Sequence, residues 1–204
     1  MLELDGRRDE YSSSLREMYR DIVVAISMRD PILGLVAKRV KVVASYDVPT
    51  AVTNGKVIKV NPNFLRSLPP PERAALVAHE LLHILYLHPL RLKRYDPEIA
   101  NIAADAKVNE ALAENRFRLP SGAITCDSLE RLAGIDADFC REASTEELVE
   151  QLAKRRGGLQ GLAVAMDLVF GGAAPAGGGE KEESGEGAKQ QGGGKRGEEQ
   201  RGQG

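Results

Sequence analysis

The three histidines of the chain lie in one largely apolar stretch, ALVAHELLHILYLHPLR, at positions 75–91. His79 and His83 are four residues apart, so both imidazoles project from the same face of a helix. Two rings placed in this way can ligate one zinc ion at about 2.0–2.1 Å each. Glu80 is next to the first histidine, where it can take a proton from water on that ion. The HExxH pattern therefore predicts two metal ligands and a general base.

The helix that carries these groups has no clearly polar face. Burial of a polar side chain without a partner costs about 2–7 kcal/mol on transfer scales. A shared metal ion and its water would supply the partners that offset this cost. A pair of hydrogen-bonded core histidines is the alternative interpretation.

His88 is less well placed for the same metal ion. It follows His79 by nine residues, about half a turn out of phase at 100° per residue. No glycine lies between the two histidines to let the chain double back. We therefore expect His88 to be a helix-end residue that suits the negative end of the helix dipole, and we keep it as an alternative ligand.

A second helix, DPEIANIAADAKVNEALAEN at positions 96–115, offers an acidic candidate. Glu98, Asn101, Asp105 and Asn109 form one polar stripe on a helix that is otherwise rich in alanine. Small side chains allow the close helix approach that a short aspartate needs in order to reach a metal ion on its neighbour. We predict that Asp105 is the third ligand and that Asn101 and Asn109 orient the ligands by hydrogen bonds. A solvated polar stripe is the alternative.

Helical signals flank these two segments. Apolar residues at helical spacing predict an amphipathic helix near the start of the chain, which ends at Pro31. Prolines at 69–71 suit the start of the HExxH helix, and Pro89 stops it. Asp96 is a predicted N-cap of the second helix, and Ser144 with Glu147 is spaced as the capping box of a later one.

Strand signals lie between the first two helices. Valine and isoleucine are frequent at positions 40–43 and 57–60, and the dipeptide Asn54-Gly55 stands between these runs as a hairpin signal. Together with the helices, this pattern predicts an α+β fold. The fold is expected to be mostly helical, with a small antiparallel sheet or hairpin before the HExxH helix.

Composition divides the chain near residue 171. Of its 21 glycines, 13 lie at 171–204, in a segment with interleaved charges and no large apolar residue. Such a segment cannot bury enough surface to offset the chain entropy. We predict a folded domain at 1–170 and a disordered tail at 171–204, which could tether a protein partner.

The remaining bulk properties exclude several classes. A net charge of −2 gives no electrostatic case for binding nucleic acid or an anionic membrane. No apolar run approaches the roughly 20 residues of a membrane span, and no signal-peptide core follows the N-terminus. We therefore expect a cytoplasmic protein, in which Cys126 and Cys140 are buried thiols rather than a disulfide.

The sequence also resembles a known family. HELLHILYLHPLR followed by IANIAADAKVNEAL is similar to the metallopeptidase domain often joined to a von Willebrand factor A-like domain. The relation extends to minimal gluzincin metallopeptidases, in which a hairpin such as TNGKVIKVNPNFL precedes the active-site helix. The likeness covers about positions 51–154. It implies a zincin-like fold, with the strand at 57–60 as the edge along which a peptide substrate would lie.

The resemblance does not extend to every ligand. Gluzincins use a glutamate from the second helix, whereas the matching position here is Asp105. Glu98, Glu110 and His88 therefore stay alternative ligands. The sequence also continues into a glycine-rich segment rather than a von Willebrand-type domain.

These observations give one main hypothesis, the zinc-dependent hydrolysis of a peptide bond with Glu80 as general base. Candidates for an additional electrophile near the site are Tyr86, Arg91, Arg94 and Tyr95. One alternative is a hydrolase with three histidine ligands, His79, His83 and His88, that acts on RNA or another phosphoester. A second alternative is a zinc-containing module that is not catalytic and recruits partners through the tail.

Overall fold

A computed structural model of the chain describes residues 2–4 and 12–155. The predicted tail and the predicted domain boundary at residue 170 lie outside the described residues. Within these ranges the fold is α+β and mostly helical, as predicted. None of the described helices is long and apolar enough to cross a bilayer.

The described residues form nine helices and four short strands. The helices are α1 (Ser12–Arg29), α2 (Pro31–Ala37), α3 (Pro62–Ser67), α4 (Pro70–Leu85), α5 (His88–Arg91), α6 (Pro97–Glu114), α7 (Cys126–Ala133), α8 (Ala137–Glu142) and α9 (Thr145–Lys154). The strands are β1 (Leu2–Leu4), β2 (Lys41–Ala44), β3 (Ala51–Thr53) and β4 (Val57–Val60).

The predicted caps are present where the sequence places them. The Asp96 carboxylate accepts hydrogen bonds from the first-turn amides of α6. Ser144 and Glu147 form the capping box of α9, in which each side chain accepts a bond from the other's backbone amide. Pro31 ends α1 as predicted, but it also begins α2, because Asp30 caps the new helix through the Leu33 amide at 2.9 Å.

The sheet is mixed, with strand order β1-β2-β4-β3. β3 and β4 form the predicted antiparallel hairpin, and Gly55 in its turn has a φ of +89°. The expectation of a wholly antiparallel sheet is wrong, because β1, β2 and β4 pair in parallel. The strand at 57–60 is also not an edge, since β4 has β2 on one side and β3 on the other. The outer strand of the hairpin, β3, forms this edge of the sheet.

Helix α4 is the centre of the molecule. Every residue from Ala74 to His83 is buried, which confirms the prediction of a helix without a polar face. The N-terminal half of the core contains α1, α2, the sheet, α4 and the later part of α6, and the second half contains the earlier part of α6 with α7 to α9. α4 packs on α6 where these two halves meet.

Cys126 and Cys140 form a disulfide, so the prediction of free thiols is wrong. α7 begins at Cys126, and α8 packs back against α7 through a short connection. This reversal brings the two Cα atoms to 5.5 Å, within the range that a disulfide spans. Both residues are completely buried. The sequence spacing carried no sign of this proximity, because neither short helix was predicted.

The crossing of α1 and α2 depends on the absence of a side chain at Gly34. A Cβ atom at this position would lie 2.2 Å from Oγ and 2.6 Å from the backbone Cα of Ser27. The Cα cannot move aside without a shift of α1. We expect Gly34→Ala to destabilise the fold by about 1–3 kcal/mol through overpacking, despite a gain in helix propensity of about 1 kcal/mol.

Chemical denaturation of the variant measures this effect. Leu35→Ala, at an exposed position of the same helix, is the matched control and is expected to change stability by less than about 1 kcal/mol. Equal stability of Gly34→Ala and the wild-type protein would contradict the close crossing.

Candidate metal centre

The site lies in the interface between α4 and α6. His79 and His83 project from α4, and Asp105 projects from the middle of α6. All three side chains are buried. α6 faces α4 with the side that carries Asp105, and Val108 and Leu112 of α6 pack in the same core cluster as α4. The buried alanines of α6 do not form this surface as the sequence analysis expected, because they pack in the second cluster with α7 to α9: Ala100, Ala103, Ala104 and Ala106.

The three side chains meet at one point. The Nε2 atoms of His79 and His83 are 2.9 Å apart. Oδ1 of Asp105 lies 3.3 Å from the first of these nitrogens and 3.1 Å from the second. Among the described residues, this is the one group of three histidine, cysteine or acidic side chains whose donor atoms all lie within 4.8 Å of one another.

Asn109 determines which nitrogen of His79 carries the proton. Its amide Nδ2 donates to the Ile124 carbonyl at 2.8 Å, so its Oδ1 must be the atom that faces His79. Nδ1 of His79 lies 3.0 Å from that oxygen and is therefore the protonated nitrogen. The lone pair of the neutral ring is then on Nε2 and points at Asp105. The predicted role of Asn109 as an orienting residue agrees with this contact.

Charge and burial act against each other in the cluster. Burial alone would raise the pKa of Asp105, but the hydrogen bonds and charges of the two histidines hold it well below its usual range. Burial lowers the pKa of His79, and the interactions with Asp105 and Glu80 outweigh it, so the net shift is upward. The Asp105 carboxylate is thus an anion in a buried site, and a positively charged partner would stabilise it.

A divalent cation fits this demand. Donors bound to one zinc ion at about 2.0–2.1 Å in a tetrahedral arrangement stand about 3.3–3.4 Å apart. The three observed separations are 2.9, 3.1 and 3.3 Å, close to the edges of such a tetrahedron. One cation would bind all three electron pairs, whereas two adjacent imidazolium ions would repel one another. Histidine nitrogen and carboxylate oxygen are both donors that zinc takes in proteins, and imidazole also suits copper, iron and nickel.

Glu80 is buried beside the cluster but is not one of the three converging donors. Burial raises the pKa of its carboxyl group, and the charges of His83 and His79 oppose the shift without reversing it. A carboxylate with a raised pKa is better suited to accept a proton near neutral pH. This position agrees with the predicted separation between ligands and base.

His88 lies in the site, although not as predicted. It is buried at the start of α5 rather than at the end of the HExxH helix, and its Nδ1 faces Nδ1 of His83 at 3.1 Å. The two ring nitrogens of His83 thus face different partners, and His88 meets the one turned away from Asp105. Burial, with the charges of His83 and Arg91, lowers the pKa of His88 to about 3, so the ring is neutral.

The other predicted residues lie outside the cluster. Glu98 is exposed on the first turn of α6. Glu110 accepts a hydrogen bond from the Cys126 amide at 2.7 Å and pairs with Arg141. Asn101 is half-buried, one turn before Asp105.

The candidate electrophiles have structural contacts of their own. Arg91 forms a two-bond ion pair with Glu146, and Arg94 donates to the Tyr95 hydroxyl at 2.8 Å. The Tyr86 ring packs edge-on against His88, with ring centroids 5.5 Å apart. Of the four candidates, Tyr86 is therefore the one that the structure places in contact with the histidine cluster.

Comparison with protein families agrees with this geometry. Residues 20–204 match the sequence model of a family described as "Putative metallopeptidase domain". The chain belongs to this family. No match was found among curated proteins or among solved structures. The match covers most of the chain, including α4 and α6, and it agrees with the resemblance drawn from the two helix motifs.

Two contacts of this metallopeptidase domain were not predicted. Thr145 at the start of α9 lies with its Oγ1 3.3 Å from Nε2 of His88, and Ile124 holds the amide of Asn109. The second contact uses a backbone carbonyl, which carries no residue-specific signal. The first joins residues 57 positions apart and depends on the packing of α5 against α9, which the sequence did not indicate.

Proposed function

We propose that the protein is a zinc-dependent peptidase in which His79, His83 and Asp105 hold the metal ion and Glu80 is the general base. The observation that carries the proposal is the convergence of the two histidine Nε2 atoms of the HExxH helix on one Asp105 oxygen of α6. Membership of the metallopeptidase family supports the same chemistry. A zincin-like fold is part of the proposal, supported by the hairpin that precedes the helix.

The roles of the residues follow from their positions. A bound zinc ion supplies Lewis acidity, which polarises a carbonyl oxygen and lowers the pKa of water towards about 7. Glu80 accepts the proton of the attacking water and passes it to the leaving amine. Asn109 holds His79 in the tautomer whose Nε2 lone pair faces the cluster. The apolar residues around α4 keep bulk water away from these groups.

No observation favours the alternative with three histidine ligands. Its third histidine, His88, faces the far side of the His83 ring and not the point where the other donors meet. The phosphoester substrate of that alternative has no support in the charge of the chain. A binding module that is not catalytic is separated from the peptidase by the experiments below. Cytoplasmic location and a partner for the tail stay predictions.

The proposed position of a peptide substrate is the β3 edge. β3 packs against α4 and ends the sheet on this side. Thr50 and Asn54 bond to the β4 side of the hairpin through their backbone. By the alternation of an antiparallel ladder, the backbone groups of Ala51 and Thr53 point to the open edge. An extended peptide could add to these groups as a further strand.

The ligand assignment predicts the metal content of an Asp105→Asn variant. The amide keeps the shape of the side chain but loses the anionic donor, so zinc affinity is expected to fall about 100-fold or more. Loss of a residue that only hydrogen-bonds to a metal ligand typically costs about 10- to 100-fold. Competition with a chromophoric chelator measures the affinity. Asp138→Asn, at an exposed position of α8, is the control and should bind zinc as the wild-type protein does. Unchanged affinity in Asp105→Asn would remove Asp105 from the ligand set.

The base assignment predicts that Glu80→Gln retains zinc but loses hydrolysis. We expect cleavage of a broad peptide library to fall by about 10²–10⁴-fold, because the amide cannot accept the proton. Glu98→Gln, an exposed carboxylate on α6, is the matched control. If the wild-type protein binds zinc and cleaves nothing in the library, the non-catalytic module replaces the peptidase.

If a substrate peptide pairs with β3, N-methylation should lower kcat/KM at every second amide of the peptide. N-methyl groups at the amides that pair with β3 should each lower kcat/KM about 2- to 10-fold, the cost of one hydrogen bond. Methyl groups at the intervening amides should have little effect, and these peptides are the internal control. A uniform response along the peptide would argue against strand addition.

A further inference from the structure

The two proposed histidine ligands are oriented from different parts of the fold. His79 is held by Asn109 on α6, through the nitrogen turned away from the cluster. The equivalent nitrogen of His83, its Nδ1, faces the Nδ1 of another histidine, His88, at 3.1 Å. Both rings are buried, and their centroids are 5.1 Å apart in an edge-on arrangement.

A strained turn brings His88 to this position. α4 ends at Leu85, and two residues later Leu87 has φ 57° and ψ 30°, in the left-handed region. A side chain other than glycine in this conformation costs on the order of 1–2 kcal/mol. In a continuous helix His88 would lie on the opposite face from His79, but α4 ends before His88 and a new helix, α5, begins there. The left-handed conformation of Leu87 lets the chain change direction, so that the His88 side chain contacts His83 of α4.

The protons of the three buried rings can be assigned in order. If Nε2 of His83 offers its lone pair to a metal ion, its proton is on Nδ1. His88 must then accept at Nδ1, which places the His88 proton on Nε2. That nitrogen lies 3.3 Å from Oγ1 of Thr145, a hydroxyl that can accept it. Each group has a partner of the correct polarity.

The end of this hydrogen-bond series that lies farthest from the metal site, at Thr145, is fixed by further contacts. Thr145 is the first residue of α9 and lies between the two capping-box residues, Ser144 and Glu147. On the same turn, Glu146 forms its ion pair with Arg91 of α5, at 2.9 and 2.5 Å. Arg91 also donates to the Tyr86 carbonyl, next to the strained turn, at 2.9 Å. α5 and α9 are thus fastened together around the His88–Thr145 contact.

We propose that His88 is a positioning residue that accepts the Nδ1–H of His83, with Thr145 accepting from His88 in turn, and so fixes the ring of His83 for metal binding. The inference rests on the zinc site of the proposed function. It assigns His88 a place outside the ligand set, in contrast to the three-histidine alternative. Outer partners of metal-bound histidines typically change metal affinity 10- to 100-fold.

The test compares two substitutions of His88 in the full-length protein. His88→Asn can place its Oδ1 near the position of the lost Nδ1 and remains an acceptor. His88→Phe keeps a ring but has no acceptor. Zinc affinity is measured by competition with a chromophoric chelator, and the visible spectrum of bound Co²⁺ reports the number and type of ligands. Thermal melts with the metal chelated show whether each variant is folded.

We expect His88→Phe to bind zinc about 10- to 100-fold more weakly than the wild-type protein. His88→Asn should recover most of that loss, and the Co²⁺ spectrum should keep its wild-type form in both variants. Zinc affinity of His88→Phe equal to that of the wild type would overturn the inference. It would also be overturned if both variants lost zinc equally and changed the Co²⁺ spectrum, because His88 would then be a ligand itself.

A second pair of variants does not depend on the folding of His88→Phe. Thr145→Val removes one hydroxyl group and is expected to weaken zinc binding, whereas Thr145→Ser should restore it. Equal zinc affinities of Thr145→Val and Thr145→Ser would contradict a role for the hydrogen bond between His88 and Thr145. A wild-type protein that binds zinc but cleaves no peptide would defeat the proposed peptidase and leave this inference standing. A wild-type protein that binds no zinc would defeat both.

Discussion

The structure depends on three electron-pair donors that converge in a buried interface between two helices. Each donor taken from water without a partner costs several kcal/mol, and the charged carboxylate costs more. Binding of structural zinc contributes about 10–16 kcal/mol in zinc-finger peptides at neutral pH. A cation bound here with even part of that free energy would offset the cost of burying the three donors. Without a cation, the two imidazoles would have to share protons across 2.9 Å to avoid facing lone pairs.

This interaction requires that α4 and α6 pack closely, and the rest of the fold maintains that packing. An aspartate has one methylene fewer than a glutamate, so its helix must lie nearer to the histidines. Val108 and Leu112 of α6 pack in the same core cluster as the buried residues of α4, and this cluster holds the two helices together. α1, α2 and the sheet surround α4, so the histidine helix cannot withdraw without disrupting that core.

Much of this arrangement could be predicted from sequence, for reasons that are local. The i, i+4 spacing of His79 and His83 determines a shared helix face, and the caps at Asp96 and Ser144 act within one turn. Asp105 was identified because it stands among alanines on a predicted helix. The hairpin was identified from Asn54-Gly55. In each case the sequence signal lies within a few residues or on one face of one helix.

The features that sequence reasoning missed involve distant partners. The parallel pairing of β2 with β4, the disulfide and the Thr145–His88 contact each join elements whose packing is not encoded in a short pattern. The expectation that His88 lies at the end of the HExxH helix is wrong for a different reason. It assumed an unbroken helix, in which nine residues put His88 on the opposite face, and only glycine was considered as a residue that could reverse the chain. Leu87 adopts the left-handed conformation instead.

The elements after α6 have a functional reason to be ordered. The segment that leads into α7 is bonded to α6 at two successive residues, since Asn109 donates to the Ile124 carbonyl and Glu110 accepts from the Cys126 amide. The disulfide fixes the start of α7 to α8, and this restricts the segment that carries the Ile124 carbonyl. The orientation of the His79 ring therefore depends on a covalently fastened pair of helices. His83 depends instead on α5 and α9. A site made by two helices is thus contacted from two sides by the elements that follow α4, at His79 through Asn109 and at His83 through His88.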